Sequence, residues 1–546
     1  MDVDRLLGEM TLDEKVGQLF LLAFEADDVD AAETLFERYF VGGAYLSNDN
    51  LPTPTVAAEM TQRIQGFAQR TRLGITVLLG AGQEGAWSVM YPGSCPGPGN
   101  MALGATGDPR HAQRMYRVIG EEIRAVGLHA VFGPCADRSA NPDNAIIGTR
   151  SFGELPALVG EMTAAAVGGL LAAGAIPTLK HYPGHGDTTL DSHRGLPTVE
   201  RGRDELFETD LLPFARGVEA GAPLVMTAHI LFPALDADRP ATLSPVILDD
   251  ILRGELGFDG AVISDSMNMK PMRARYDPVD AATQAVNAGV DIVMVAEEHY
   301  DHDSDYLERQ VALIEGIRTA VRDGRISESR LDEAVGRTLR LKATVGEADP
   351  SPESVGSELH RAVELAAARA ATAMLRGSLE LLPVHPGAPL TIVNTTLRSA
   401  YDILGSTRGI GPNQTDPASD LFVDAVRKRS PDVRVLSAEQ VLDGERPDRD
   451  GLVVAVTETH PLPGVDFDRS VVIDVLHRLS DGGHLVQLVA LRDPYELGDL
   501  SFIHDYICTF GPRWCSAEAA AEVMFGEIQA HARSPVSVAG TGIEAR

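Results

Sequence analysis

Eight times within about the first 300 residues, a short run of apolar and β-branched side chains gives way to a longer segment with helical spacing. The runs are "GQLFLLAF" (17–24), "VGGAYLS" (41–47), "ITVLLGAG" (75–82), "HAVFGPCAD" (129–137), "IPTLKHY" (176–182), "LVMTAHI" (224–230), "GAVISDS" (260–266) and "VDIVMVA" (290–296). Between them lie stretches such as "PRHAQRMYRVIGEEIRAVG" and "DPVDAATQAVNAG", several closing on the glycine that commonly follows a helix. Near-continuous apolar strands joined through helices predict a parallel sheet covered on both faces. Eight such units fit a TIM-type (β/α)8 barrel, whose usual size is ~250 residues or more with insertions. An open doubly wound sheet satisfies the same pattern, because periodicity carries no information about closure.

The alternation then breaks. After "SRLDEAVGRTLRLKATVG" comes "EADPSPESVGSE" (347–358), polar and proline-bearing as a linker is. We expect a barrel domain over 1–346, a linker over 347–358 and a second domain over 359–546. The second part opens with a helix at about 359–377, followed by the strands "LTIVNTT", "LVVAVTET", "HLVQLVAL" and "DYICTFG" with helices between, the pattern of a smaller α/β sandwich.

Charge narrows the partners. With 47 Lys+Arg against 79 Asp+Glu the formal charge is −32, which repels nucleic acid and anionic lipid surfaces. No apolar run reaches the ~20 residues that span a bilayer, and the first residues, "MDVDRLLGEM", are acidic where a signal peptide is basic. The expected setting is cytoplasmic, with no membrane partner. Cys95, Cys135, Cys508 and Cys515 form no C-x-x-C pair, so neither a zinc cluster nor a disulfide framework is expected.

In a barrel of this type the loops at the carboxyl ends of the strands build the site. Polar residues cluster at those ends: Asp137 after strand four, with Arg150 in the loop beyond it, Lys180 and His181 on strand five, His229 after strand six, and Asp265 after strand seven. Charged groups placed against such apolar runs cost desolvation energy unless they are paired or used. Asp265 reads either as the cap of the following helix or as a nucleophile. Lys180 and His181 read either as a salt bridge and a packed imidazole or as ligand contacts.

The segment "KHYPGHGDTTLDSHRGLP" (180–197) is too glycine-rich for a helix and holds Asp191 and His193 one residue apart. A carboxylate beside an imidazole fixes its tautomer and supports its protonated form, so the pair can give and retrieve a proton near neutral pH. Two other readings compete. One is a metal site of His181, His185 and His193, which lacks helical i,i+4 spacing and a nearby acidic cluster; the other is a turn held by Asp191 and Ser192.

The same segment resembles the K-H-F-P-G-H-G, D-S-H and L-P pattern of bacterial β-N-acetylglucosaminidases in glycoside hydrolase family 3. "NPDNAIIGTRSFG", "MTAHILFPALD", "PATLS", "LGFDGAVISDSMNMK" and, in the second part, "VALRDPYEL" resemble the family's blocks in the family's order. The resemblance implies an exo-acting β-N-acetylhexosaminidase, possessing a retaining mechanism and needing neither metal nor organic cofactor. It implies Asp265 as nucleophile, His193 with Asp191 as the acid/base dyad, and Arg150, Lys180 and His181 as contacts to a terminal sugar. Because a deprotonated imidazole is neutral, it repels an anionic acceptor less than a carboxylate does, which leaves phosphorolysis open beside hydrolysis. The substrate expected is a small carbohydrate, with cell-wall fragments the family's usual class.

One loop departs from the pattern. Where the family resembles D-Q-E-G-G-R-V-Q-R, this chain reads "GQEGAWSVM" (82–90). Gly82 replaces a sugar-binding aspartate, Trp87 one arginine, and Met90 a second, sugar-contacting one. Each lost partner for a sugar hydroxyl costs ~1–3 kcal/mol if nothing replaces it. Trp87 reads as a stacking platform for the sugar or as core filling, and Gln83 and Glu84 as supports of the loop. Another sugar, or a carbohydrate-binding protein without turnover, is therefore the alternative; binding alone needs no nucleophile.

Overall fold

A computed structural model describes residues 2–546 apart from 26–27, 86–92, 145, 189–195, 297–304, 347–349, 378–381, 386, 397–413, 449–450 and 459–468. Eight parallel strands stand in chain order around a ring: β1 (Phe20–Leu22), β2 (Gly43–Tyr45), β3 (Leu78–Ala81), β4 (Ala130–Val131), β5 (Ile176–Tyr182), β6 (Leu224–Thr227), β7 (Ala261–Ile263) and β8 (Val293–Val295). β8 pairs with β1 at Phe20 and Val293, and a parallel bridge from Ile263 to Ile292 joins β7 to β8. The ring therefore closes, which decides the barrel over the open sheet.

Side-chain alternation explains why the sequence folds this way. Leu21, Leu78, Ala130, Ile176, Met226, Ile263 and Met294 point into the barrel and pack there as one cluster. Their neighbours Leu22, Leu79, Val131, Val225, Val262 and Val293 point outward and join the larger core beneath the helices. Both faces of each strand are buried, so the runs read as near-continuously apolar.

Among the described residues the second sheet has six strands: β9 (Ala373–Arg376), β10 (Leu390–Asn394), β11 (Arg434–Ser437), β12 (Leu452–Thr457), β13 (Val486–Ala490) and β14 (Asp505–Cys508). They lie in the order β9-β14-β13-β12-β10-β11, parallel except for β9, which runs antiparallel to β14. Sequence reading finds four of the six. The two it misses, β9 and β11, are the rims of the sheet, where three of four residues are only partly buried and the apolar signal is weak. The helix expected at about 359–377 is correspondingly shorter, Glu358–Ala371, because its last residues are β9.

Alternate residues of these strands fill two apolar layers, one on each face of the sheet. Met101, Ala102 and Ala105, from the helix Asn100–Ala105 that follows β3, belong to one of those layers. The barrel and the second sheet thus share a core. The expected linker is also tied down: Ser351 N–H donates to the Ala125 carbonyl at 2.8 Å, and Gly356 N–H to Glu122 at 2.8 Å. Among the described residues no helix is long and apolar enough to cross a membrane.

Candidate active site

At the carboxyl end of the ring, β4 and β5 run one step past their regular pairing. Ala136 N–H donates to the Lys180 carbonyl at 2.7 Å, which sets the next residues, Asp137 and His181, side by side at the barrel mouth. The Asp137 carboxylate accepts from His181 Nδ1 at 2.7 Å, from the His181 backbone N–H at 3.1 Å and from the His185 N–H at 2.7 Å. Cys135 Sγ–H adds a contact at 3.1 Å. Burial pushes this carboxyl up, but His181, His185 and these donors outweigh it and hold it well below the usual aspartate range. With Nδ1–H engaged by Asp137, Nε2 is the ring atom left for other contacts.

The loop after β5 turns back tightly. A Cβ on Gly186 would stand 1.6 Å from the Arg138 carbonyl oxygen, so only glycine lets the two chains meet. Arg138 itself pairs with buried Asp210 at 3.2 Å. His185 stacks edge-on against His181, with ring centroids 5.5 Å apart, and burial pushes its pKa down to about 4. Its Nδ1 meets Thr188 Oγ1 at 3.0 Å. These contacts employ His185 in the fold of the loop.

Arg150 and Lys180 converge on one carboxylate. Glu84 Oε1 accepts from Arg150 Nη2 at 3.0 Å and from Lys180 Nζ at 2.7 Å, and all three side chains are buried. The Arg150 carbonyl accepts from Asn100 Nδ2 at 2.7 Å, and Asn100 Oδ1 accepts from Tyr116 OH at 2.8 Å. Glu84, read from sequence as a loop support, is thus the shared counter-ion of two expected sugar contacts. The sequence signal for it is a carboxylate in an otherwise uncharged, glycine-rich loop just past a buried strand.

Glu84→Ala would leave two buried cations without their common partner. It is expected to lower the unfolding free energy by about 3–5 kcal/mol, read by urea denaturation at neutral pH. Burial pushes the Glu84 carboxyl up, but Arg150 and Lys180 overcome this and set it below its ordinary value. The stabilisation is therefore complete above the unfolded glutamate pKa of ~4.3 and fades as pH falls through the lower folded value. The gap between wild type and variant should shrink in acid, and a gap that widens there contradicts the pairing.

Asp265 follows β7 by two residues and is half-buried. Its Oδ1 accepts from the Ser266 N–H at 2.8 Å. Burial pushes the carboxyl up, yet His181, His229, the Ser266 N–H and Lys180 together pull it below the ordinary aspartate value, so it is ionised at neutral pH. His229, after β6, donates from Nε2 to the Ser266 carbonyl at 2.9 Å and meets Thr242 Oγ1 through Nδ1 at 2.8 Å. Burial keeps His229 below its ordinary pKa. Its role in this arrangement is to fix the backbone beside Asp265.

Lys180 and His181 on β5, Asp265 just past β7 and Arg150 from the loop after β4 thus meet at one mouth. Trp87, Met90, Asp191 and His193 lie outside the described residues. Both feet of the 189–195 segment are anchored nearby: the Thr188 carbonyl accepts from Asn141 Nδ2 at 3.2 Å, and Leu231 N–H donates to the Pro197 carbonyl at 2.9 Å. The helix-cap reading of Asp265 finds no support, since the next helix begins at Lys270 with Met269 as its cap and no side-chain capping bond. As for metals, donor atoms of Cys135, Asp137 and His181 lie within 4.8 Å of one another. Asp137 already accepts hydrogen bonds from the other two, so the cluster is satisfied without a cation.

The chain as a whole is similar to known proteins. The model of the glycosyl hydrolase family 3 N-terminal domain matches residues 11–341. The chain belongs to that family. It is 32% identical over 419 residues to beta-hexosaminidase A of Pseudoalteromonas piscicida, covering 69% of each chain. It is 31% identical over 450 residues to a beta-N-acetylglucosaminidase/beta-glucosidase of Cellulomonas fimi, covering 78% of this chain and 74% of that one. Among solved structures, a family 3 beta-N-acetylglucosaminidase from Paenibacillus sp. superposes with a TM-score of 0.84 at 30% identity, over 97% of this chain and 99% of that one. A beta-glucoside phosphorylase shares the fold, with a TM-score of 0.83 at 21% identity. The family 3 architecture therefore spans the barrel and the second sheet together.

Proposed function

We propose that this family 3 glycoside hydrolase is a retaining, exo-acting β-N-acetylhexosaminidase that removes one terminal N-acetylglucosamine-like sugar. The observation that carries the reading is an ionised Asp265 carboxylate at the same mouth as the Arg150–Glu84–Lys180 cluster. Retention needs a nucleophile and a separate acid/base flanking the scissile bond. A carboxylate oxygen of Asp265 attacks the anomeric carbon as the glycosidic C–O bond breaks, and His193, oriented by Asp191, gives its proton to the leaving oxygen. The neutral imidazole then takes a proton from water, which attacks the anomeric carbon and frees Asp265. Arg150, Lys180 and His181 hold the sugar, with Trp87 and Met90 shaping the altered loop.

The reading includes the division into a barrel over 1–346 and a second domain over 359–546 on either side of 347–358. It assigns no metal or cofactor. A cytoplasmic setting is supported by the four cysteines, all free and buried. Names of relatives support the amino sugar, while Gly82, Trp87 and Met90 make glycone choice the point to measure.

The test is a panel of aryl β-glycosides carrying N-acetylglucosamine, N-acetylgalactosamine or glucose, assayed with and without inorganic phosphate. We expect N-acetylglucosamine to be preferred over glucose by on the order of tenfold or more in kcat/KM, as one or two hydrogen bonds to the acetamido group would give. Preference for glucose overturns the amino-sugar assignment. Release of a sugar 1-phosphate in the phosphate arm reassigns the reaction to phosphorolysis.

A further inference from the structure

The loop that carries Arg150 is held from outside the barrel. Residues 531–537, beyond the last helix, Trp514–Met524, run from the second sheet back to the barrel mouth. His531 bridges to Ala373 of β9, Ala532 N–H donates to the Thr372 carbonyl at 3.4 Å, and Arg533 N–H to the Ala105 carbonyl at 3.4 Å. Two further bonds close on the loop itself. Glu154 N–H donates to the Pro535 carbonyl at 2.9 Å, and Ser537 N–H returns to Glu154 Oε2 at 2.7 Å. The approach is close, since a Cβ on Gly153 would stand 2.7 Å from the Pro535 oxygen.

A second tie comes from the loop after β13. Tyr495 OH and Ser139 Oγ hydrogen-bond at 2.9 Å, and Ser139 N–H donates to the Gly153 carbonyl at 2.7 Å. The hydroxyl of Tyr495 is buried, and that burial raises its pKa, so it stays protonated. Both ends of the 139–154 loop are thereby pinned to the second sheet's side, with Arg150 between them. Its carbonyl is pinned in turn by Asn100, on the very helix whose last carbonyl receives Arg533.

We propose that Tyr495 and Glu154, with the 534–537 strap, are positioning residues that set Arg150 against the sugar, so that the second domain tunes glycone binding without touching substrate. The inference rests on the reading of Arg150 as a sugar contact. A guanidinium that must match hydroxyl positions is sensitive to small displacements of its loop, since misplacement by ~1 Å is enough to cost up to about 100-fold.

The experiment is steady-state kinetics on the preferred aryl β-glycoside for wild type, Tyr495→Phe, Glu154→Ala and the pair, each also built into an Arg150→Ala background. Thermal unfolding of each variant confirms that it folds. The pair is expected to raise KM by on the order of tenfold while kcat changes little, the signature of lost ground-state binding. Glu154→Gln keeps an acceptor for the Ser537 N–H and should restore most of the KM. In the Arg150→Ala background the same substitutions should leave KM where it is, because they act through Arg150. An unchanged KM in the pair, or an equal rise in both backgrounds, overturns the positioning role while the glycosidase reading stands. A folded wild type that turns over none of the glycosides removes that reading and the inference with it.

Discussion

Replacing Asp265 with glycine is expected to lower turnover of an activated aryl β-glycoside by on the order of 10⁴-fold or more, the scale on which removal of a nucleophile is felt. The loss should fall on kcat and kcat/KM together, because the ester bond to the anomeric carbon exists only beyond the ground state. Folding should be little affected. The carboxylate is half-buried, its described hydrogen bond is to the adjacent Ser266 N–H, and His229 holds the Ser266 carbonyl independently of it. Small anions such as azide supply the decisive readout. Entering the space of the missing carboxylate, azide should restore activity and yield a glycosyl azide with inverted configuration. Unchanged hydrolysis without azide shows that another group attacks. The ionisation of Asp265 adds a pH statement: because His181, His229 and Lys180 keep its pKa below the ordinary aspartate value of 3.8, the acid limb that its protonation produces should lie below that value.

Much of the frame is legible in the chain because burial on both faces writes itself into the sequence. The eight barrel runs are mostly apolar where they form strands, polar residues such as Lys180 and His181 falling toward the carboxyl ends, and the ring then brings Arg150, Lys180, His181 and Asp265 together although they are spread over more than a hundred residues. What the sequence conceals is pairing. Glu84 looks like a loop residue until Arg150 and Lys180 fold onto it, and Asp137 looks like one strand-end aspartate among several until β5 sets His181 beside it. Long-range ion pairs leave no local period. Edge strands leave a weak one, which is why β9 merges into the helix before it and β11 goes unrecognised. The strap is hidden too, because on its own side it reaches Glu154 only through backbone groups, the Pro535 carbonyl and the Ser537 N–H, which leave no side-chain pattern to read.

His193→Ala should separate substrates by their leaving groups. A phenol of low pKa departs as an anion without help, so its glycoside should lose little in the step that forms the glycosyl ester. An alkyl or sugar leaving group must be protonated as it departs, and for these the loss should approach the ~10²–10⁴-fold that a positioned general acid supplies. The variant should therefore show a steep dependence of kcat/KM on leaving-group pKa where wild type is nearly flat. Deglycosylation reports the other half of the role. Without a base to take the proton from water, the glycosyl ester should accumulate on activated substrates, visible as a burst of phenol and as added mass on the intact protein. If the proposed dyad operates, Asp191→Ala should move in the same direction but less far, since the imidazole remains while the carboxylate assigned to orient it is gone. Equal losses across all leaving groups would contradict the acid role, and a variant with neither burst nor added mass would contradict the base role, leaving the proton transfers to some other group at the same mouth.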